Sequence, residues 1–467
     1  MPNKLSACTS ILIGKKASID GSIMIGRNED AKAAWPKHMV VHPHGAVPRK
    51  FVSKETKLEI ELPDDSARYS ATPEWTDKYG LFEEDGINEY NVAMSATESA
   101  YSNSLVLGAD PLVKNGLNEE AMVTVVLPFV KTAREGVLRL GNLIAKYGTG
   151  ETNGVLFADD NEAWYFESGA GHYWVAQRIP DDCYAVVANQ LAIQEIDFND
   201  PNNFMFHPGI REFVEKNHLN PDPTTFNFRK IFGTADQSDA IYSEPRVWIG
   251  HQMFSSHQAK GETPESTELP FLMKPDRLLS VIDAQNYLSN HYEGTGFDPL
   301  TNSPSAHKYR PISLAKTQES HILQTGRKGP DIHWLAMGVA NESTYVPFFN
   351  GITKLPAAYS RGKLPAQLNS AYWIFKHASV LVDSHLHDFL PLLRDVQKER
   401  NAAAQKLIRE TDNKAAALQG DALTDYLNDQ SDKFANDTLT AYRNLAMELI
   451  TKMTDYCELN FKTDENL

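Results

Sequence analysis

The chain has 467 residues, enough for one large domain or two to three ordinary ones. Its 61 acidic residues outnumber the 45 lysines and arginines, and a formal charge of -16 argues against a surface that binds nucleic acid. A hydrophobic content of 42% is typical of a folded globular protein, and no stretch approaches the roughly 18 apolar residues of a membrane-spanning helix. We therefore expect neither a nucleic acid nor a membrane as partner.

The cysteines indicate the compartment. Cys8, Cys183 and Cys457 are odd in number and far apart, which favours free thiols in a reducing cytosol over a disulfide framework. Only MPNKLSA precedes Cys8, which is too short for the apolar run of a secretory or lipoprotein signal. We expect a cytoplasmic protein.

The first predicted elements are two strands. CTSILIG is apolar and β-branched, an Asp-Gly turn follows in KKASIDG, and SIMIGRNED resumes the apolar run, so a hairpin is predicted over residues 8–28. Roughly symmetric pairing would place Cys8 opposite Asn28, with Arg27 and Asp30 one and two positions away. A thiol, a guanidinium and a carboxylate would then gather at one end of a sheet.

The next elements alternate between strand and helix. GINEYNVAMSATES is predicted as turn and strand, and EEAMVTVVLPFVKTAREGVLRLGNLIAKYG as helix, with a break near Pro128 and an end at Gly148. Turn residues separate GVLFAD, EAWYFES, HYWVAQRI and CYAVVANQ, which are predicted as four strands in antiparallel order. Asn189 ends the last of these strands.

The region from about 195 to 330 has little regular pattern, although YSEPRVWIG and the following DIHWLAMG are predicted as buried strands. After it, apolar residues recur at the three-to-four spacing of helices that form core or subunit contacts: Leu386, Leu390, Leu393, Val396, Leu439, Tyr442, Leu445 and Leu449. We expect one α+β domain with a helical C-terminal region over 381–467, packed on the domain or on a partner subunit. The amphipathic tail favours a homo-oligomer.

Familiar catalytic motifs are missing from the sequence. It contains no GxxxxGK[ST], no GxGxxG after a strand, no HExxH and no GxSxG. The pairs His42/His44 and His385/His387 lack the further ligands that a metal site needs. We expect neither a cofactor nor a metal.

Cys8 has two interpretations, an apolar filler of the strand or the first residue of a trimmed chain. A thiol with a pKa of about 8.5 is mostly protonated at neutral pH, whereas a free α-amine at about 7.7–8.0 can accept its proton. Removal of residues 1–7 would give Cys8 both groups. Such an enzyme also needs a cation, a carboxylate for the amine and donors for an oxyanion, and Arg27 and Asp30 could supply the first two.

The runs CTSILIGKKASIDGSIMIGRNED, GINEYNVAMSATES, YAVVANQ and SEPRVWIG resemble the bacterial cytosolic dipeptidase family of cysteine N-terminal-nucleophile hydrolases, relatives of penicillin V acylase and choloylglycine (bile salt) hydrolase. The resemblance covers nearly the whole chain. It implies a four-layer αββα sandwich over residues 8–380, a removable leader over 1–7, and broad dipeptide hydrolysis. In the implied site Cys8 is the nucleophile, Arg27 faces the thiol, Asp30 binds the amine, Asn189 donates to the oxyanion and Arg246 completes the polar floor.

One position departs from the acylase relatives. Where they have an asparagine after a GMNE-type strand, this chain has Glu98 in MSATES. Our hypothesis is that the Glu98 carboxylate recognises the free α-ammonium of a dipeptide, while backbone N–H groups there serve the oxyanion. Two alternatives stay open, an amidase that acts on N-acylated substrates and a secernin-like protein that binds a partner without catalysis.

Overall fold

The computed structural model describes residues 8–457, so the predicted leader at 1–7 lies outside the described residues. Over this part of the chain the strands are β1 Thr9–Ile13, β2 Ile23–Asp30, β3 Val40–His42, β4 Lys50–Val52, β5 Glu59–Glu61, β6 Tyr69–Ala71, β7 Asp85–Ile87, β8 Ala93–Ala100, β9 Thr152–Ala158, β10 Ala163–Ser168, β11 Trp174–Ile179, β12 Tyr184–Val187, β13 Phe204–Phe206, β14 Thr317–Thr325, β15 Ile332–Met337 and β16 Val346–Phe349. The α-helices are α1 Ser104–Ala109, α2 Glu119–Val126, α3 Ala133–Tyr147, α4 Ile210–Lys216, α5 Phe228–Phe232, α6 Gln237–Tyr242, α7 Glu244–Phe254, α8 Val281–Leu288, α9 Ala371–Ser384, α10 Leu386–Ala415 and α11 Gly420–Met453.

Two six-stranded sheets form the centre of the molecule. The first sheet has the order β12-β1-β2-β14-β15-β16, and the second has the order β13-β11-β10-β9-β8-β7. The pairs of neighbouring strands within both sheets are antiparallel. Two short ribbons, β3 with β6 and β4 with β5, lie outside these sheets.

The buried side chains divide into three apolar clusters that define four layers. One cluster joins the facing sides of the two sheets, with Leu12 and Ile25 from the first and Leu156 and Tyr165 from the second. A second cluster packs α8, α9, α10 and α11 on the outer face of the first sheet, and a third packs α2 and α3 on the outer face of the second. Because both faces of both sheets are covered, most strand residues are buried, and the partly exposed ones lie in β13, β11 and β8 of the second sheet. The expected α+β fold with αββα layers is confirmed.

The predicted hairpin is present, but its register was wrong by one residue. Strands β1 and β2 pair with Thr9 opposite Asn28 and Ser10 opposite Arg27. The connection between the strands is longer than a tight turn, so the sequence did not fix the pairing. A shift of one residue changes which side chains share a face, and here it places Arg27 on the same face as Ser10 and Cys8.

One predicted strand lies in a different sheet from the one expected, and another is a helix. The segment YAVV of β12 leaves the meander formed by β9, β10 and β11 and pairs with β1 in the other sheet. The segment EPRVWIG is the start of helix α7, with Pro245 in its first turn. Residues from several sides of this helix are buried, so it lacks the polar stripe that distinguishes a helix from a buried strand.

The helical predictions fared better. The segment after Asn118 forms α2 and α3, separated by a short 3-10 turn that contains Pro128. Helix α3 ends at Tyr147 and is capped by Gly148, which has φ of 73°. The C-terminal apolar stripes form α10 and α11, and Leu439, Tyr442, Leu445 and Leu449 are buried. Helix α9 crosses the expected boundary between residues 380 and 381, so the domain division stays a prediction. Within residues 8–457, no helix has the length and apolarity needed to cross a membrane.

Candidate active site

Cys8 stands directly before β1, which lies between β12 and β2 in the first sheet. Since Ser10 pairs with Val187 and with Arg27, continuation of the two ladders brings Cys8 beside Asn189 on one side and Glu29 on the other. Alternation along the strands then directs Cys8 and Arg27 towards the second sheet, and Thr9 and Asp30 towards α7 and α8. At the N-terminal end of β1, Cys8 and Arg27 therefore lie on one face of the sheet, and Thr9 and Asp30 lie on the other.

The Cys8 thiol is buried, with 1% of the residue exposed, and its sulfur accepts a hydrogen bond from Nη1 of Arg27 at 3.1 Å. Burial raises the pKa of this thiol well above its ordinary value, Arg27 opposes the shift, and the nearby Glu98 and Glu119 add to it. The thiol is therefore protonated at neutral pH. Attack on a carbonyl requires a base to remove that proton.

The Arg27 guanidinium is hydrogen-bonded to β8 of the second sheet and to Glu84, which directly precedes β7. Its guanidinium donates to the carbonyls of Ala96 and Thr97, to Ser95 Oγ at 3.1 Å, and to Glu84 Oε2 at 2.5 Å. Glu84 in turn pairs with the buried Lys37 at 3.4 Å, and Lys37 pairs with Glu29 at 2.9 Å. These contacts fix the orientation of the guanidinium beside the sulfur.

On the other side of Cys8, Arg246 connects the first strand to Asn189. Its Nη1 donates to the Cys8 carbonyl and to Thr9 Oγ1, and its Nη2 donates to Asn189 Oδ1 at 2.7 Å. Asn189 Nδ2 donates to Glu98 Oε1 at 3.2 Å and to the Ser99 carbonyl at 2.9 Å. Both amide hydrogens of Asn189 are thus engaged, and an oxyanion would have to replace one of these acceptors.

Glu98 is fully buried in the space between the sheets. Its Oε2 accepts from Ser10 Oγ at 2.6 Å, and its Oε1 accepts from Asn189. Burial raises the pKa of Glu98 to about 7, against the opposing influence of Arg246 and Ser10. This carboxyl group therefore changes its charge close to physiological pH.

Asp30 reaches the site through a residue that the sequence did not indicate. Its Oδ2 pairs with Nη2 of Arg310, and its Oδ1 accepts from Thr317 Oγ1. Arg310 Nη1 also lies 3.5 Å from Thr9 Oγ1. Burial raises the pKa of Asp30, and Arg310 and Thr317 oppose that rise. Asp30 is therefore held beside the first residues of β1 as one half of a buried ion pair.

A second cluster of titratable groups lies behind Arg27. His321 Nδ1 is 2.9 Å from both Asp85 Oδ2 and Glu319 Oε1, and His321 Nε2 is 2.8 Å from Ser95 Oγ. The three ligand atoms of Asp85, Glu319 and His321 lie within 4.8 Å of one another, a spacing that a metal ion could use. Burial opposes protonation, but the two carboxylates raise the pKa of His321 to about 9, so they face a positively charged imidazolium.

The structure brings the six expected site residues into one group. Cys8 contacts Arg27 and Arg246, Asn189 links Arg246 to Glu98, and Asp30 joins through Arg310 and Thr9. Sequence reasoning missed the residues that hold this group in place: Glu84, Arg310, Thr317 and His321. Arg310 lies in an irregular, proline-containing loop, where no periodicity marks it. Buried charges such as Glu84 give no signal in a single sequence.

Comparison with known proteins places the chain among peptide hydrolases. A family model described as "Peptidase family C69" matches residues 7–399. A "Probable dipeptidase" of Latilactobacillus sakei is 46% identical over 99% of both chains, and "Dipeptidase A" of Lactobacillus helveticus is 36% identical over 97% of both. A solved penicillin V acylase from Agrobacterium tumefaciens aligns with 73% of this chain and 86% of its own, at 14% identity and a TM-score of 0.31, which is too low to support any argument.

Proposed function

The chain belongs to peptidase family C69 and is a peptidase, and we propose that it hydrolyses dipeptides with Cys8 as the nucleophile. The observation that carries the proposal is the buried Cys8 sulfur, which accepts a hydrogen bond from Arg27 at the end of a central strand. The relatives from Latilactobacillus sakei and Lactobacillus helveticus carry the name dipeptidase, which supports a dipeptide as substrate. We propose broad side-chain specificity as well.

The base in this mechanism is the α-amine of Cys8 itself. The thiol is protonated, and His321 is separated from it by Ser95 and Arg27. Removal of residues 1–7 would provide an amine with an ordinary pKa of about 7.7–8.0 at the same residue as the sulfur. Asp30, beside Thr9, would orient that amine.

The reaction then proceeds through a thioester. The thiol proton passes to the α-amine as the Cys8 sulfur attacks the peptide carbonyl, and Arg27 stabilises the sulfur as its charge develops. The amine returns the proton to the leaving nitrogen, so the second amino acid departs with a neutral amino group. Water, deprotonated by the same amine, then hydrolyses the thioester and restores the thiol.

Asn189 and Glu98 act together when substrate binds. The developing oxyanion would take the Asn189 Nδ2 hydrogen now accepted by Glu98 Oε1, which at 3.2 Å is the longer of the two amide contacts. That exchange frees Glu98 Oε1 to accept a hydrogen bond from the α-ammonium of the dipeptide. Arg246 keeps Asn189 oriented throughout, since it donates to Asn189 Oδ1.

The same thiol could release the leader: its attack on the Ala7 carbonyl breaks the Ala7–Cys8 peptide bond, which frees the Cys8 amine and forms a thioester that water then hydrolyses. We predict that Cys8→Ala retains residues 1–7 and has no peptidase activity, while Cys183→Ala, a matched change at a second buried free cysteine, retains both processing and activity. EDTA should leave the native enzyme unaffected. Activity that disappears with EDTA and returns with zinc would contradict the thiol mechanism and direct attention to Asp85, Glu319 and His321.

A substrate panel separates the remaining alternatives. Dipeptides and N-acylated amino acids should be assayed side by side, because hydrolysis of acylated substrates alone would indicate an amidase. A processed protein without activity on either class would indicate a partner-binding role. A cytoplasmic location and self-association through the C-terminal helices stay predictions, the second of which light scattering of the purified protein would test.

A further inference from the structure

Arg310 is a buried cation at the edge of the proposed site. Its side chain is 9% exposed and pairs with Asp30, whose side chain is 1% exposed. Its Nη1 donates to the Pro311 carbonyl at 2.9 Å and lies 3.5 Å from Thr9 Oγ1. The guanidinium thus spans the distance between the Asp30 carboxylate and the residue that follows Cys8.

The proposed mechanism sets opposing demands on Asp30. A carboxylate beside an amine orients it, but its negative charge also favours the protonated ammonium, which cannot accept the thiol proton. Burial strengthens this attraction, because water screens it poorly. An uncompensated Asp30 would therefore hold the amine as an ammonium at neutral pH and remove the base.

We propose that Arg310 is a positioning residue that fixes the Asp30 carboxylate and offsets its charge, so that the Cys8 α-amine is a free base at neutral pH. The inference rests on the proposed function, because it concerns the amine that leader removal would expose. With Arg310 present, Asp30 already has a cationic partner and gains less from an ammonium. Without it, the Cys8 amine would become the partner of Asp30 and would keep its proton.

The other charged and titratable groups around this pair are fixed by different elements. Those that influence Asp30, Arg310 or Cys8 are Arg27 of β2, Glu98 of β8, Glu119 of α2, Tyr242 of α6, Arg246 of α7 and Tyr292 after α8. Thr317 of β14 also bonds Asp30, but it is neutral. A change at Arg310 alters the charge beside Asp30, whereas a change at Thr317 alters only its hydrogen bonding.

The test is the pH dependence of kcat at saturating dipeptide. In the free enzyme Glu98 has a pKa of about 7, which Arg310 helps to lower, so kcat/KM would report Glu98 as well as the amine. In the proposed complex Glu98 is paired with the substrate ammonium, and kcat therefore reports the amine.

We expect Arg310→Gln to move the acidic limb upward by about 1 to 2 pH units. This is the shift that removal of one charge about 6 Å from the Cys8 amine predicts at an effective dielectric constant of about 20 to 40. Activity at pH 7 would then fall by roughly tenfold or more and recover at high pH. Arg310→Lys should keep the limb near its original position, and Thr317→Val should lower kcat without moving it.

A matched control removes a similar cation elsewhere. Arg327 pairs with Asp412 at 2.8 Å and has a side chain 6% exposed, and Arg327→Gln should leave the pH profile unchanged. An unshifted limb in a folded, processed Arg310→Gln protein would overturn the inference, as would equal loss of activity at every pH. Wild-type protein that is active with its leader intact would instead overturn the proposed function.

A second measurement applies if Arg310→Gln does not fold or mature. The chain has 3 cysteines, so labelling with [15N]cysteine makes the α-amine of Cys8 visible by NMR in processed wild-type protein. We expect this amine to titrate at or below the ordinary value of about 7.7–8.0 despite its carboxylate neighbour. A pKa clearly above 8 would contradict the role of Arg310.

Discussion

Replacement of Glu98 by glutamine tests how the site would recognise a free amino terminus. Glutamine has the shape of glutamate but no negative charge. Its amide oxygen can still accept from Asn189 Nδ2, and its amide nitrogen can donate to Ser10 Oγ once that hydroxyl turns. The variant should fold, because burial already raises the pKa of Glu98 to about 7 and the neutral form is therefore accessible in the native protein. The change removes one specific attraction, that between a carboxylate and an ammonium.

The size of the effect follows from that attraction. A hydrogen bond to a charged group contributes about 1.5–3 kcal/mol, so KM for dipeptides should rise roughly 10- to 100-fold with little change in kcat. The wild-type KM should fall as pH rises through 7, because Glu98 gains its charge there, and the variant should lose this dependence.

The assay compares each dipeptide with its N-acylated form, which has no ammonium. Glu98→Gln and wild type should hydrolyse the acylated substrate equally well. Glu167 provides a control, since it is also fully buried in the second sheet and burial raises its pKa to about 8. Glu167→Gln should lower Tm without changing KM. An unchanged KM in Glu98→Gln, or equal losses on both substrates, would refute the recognition of an ammonium by this residue.

Two further substitutions test a buried ion pair behind the site and the proposed oxyanion donor. Lys37→Met removes the cation between Glu29 and Glu84 and should cost about 3–5 kcal/mol of unfolding free energy, as measured in denaturant. Burial and the nearby Glu84 raise the pKa of Glu29. At pH 5 Glu29 can therefore take up a proton once Lys37 is gone, so the loss of unfolding free energy should be smaller at pH 5 than at pH 8. A loss that does not depend on pH would contradict this. Asn189→Ala removes the proposed oxyanion donor and should lower kcat by about 10²–10³-fold with a small change in KM, and a kcat within threefold of wild type would exclude that role.

The sequence predicted local structure well where patterns are local. The first hairpin followed from two apolar runs around an Asp-Gly turn, and the break between α2 and α3 followed from Pro128. The partner of a strand is not a local property, and YAVV of β12 therefore joined β1 and not the meander that precedes it. Helix α7 was mistaken for a strand because its residues are buried on several sides, and such a helix has the same nearly continuous apolar sequence as a buried strand.

The residues of the candidate site also divide into those that the sequence predicted and those that it did not. Arg27 and Asp30 were predicted from their proximity to Cys8 in one hairpin, and Asn189 and Arg246 came from a family resemblance. Arg310 is 280 residues from its partner Asp30, and nothing in its loop predicts that contact. Ion pairs between residues so far apart in the chain depend on the complete fold, and a single sequence does not predict them.

The intact mass of the purified protein, measured on a sample that is also assayed with a dipeptide, tests the central claim most directly. We predict active protein that lacks residues 1–7 and begins at Cys8, together with an inactive Cys8→Ala protein that retains them. Active protein that still carries the leader would contradict the account, because the amine proposed as the base would remain within a peptide bond.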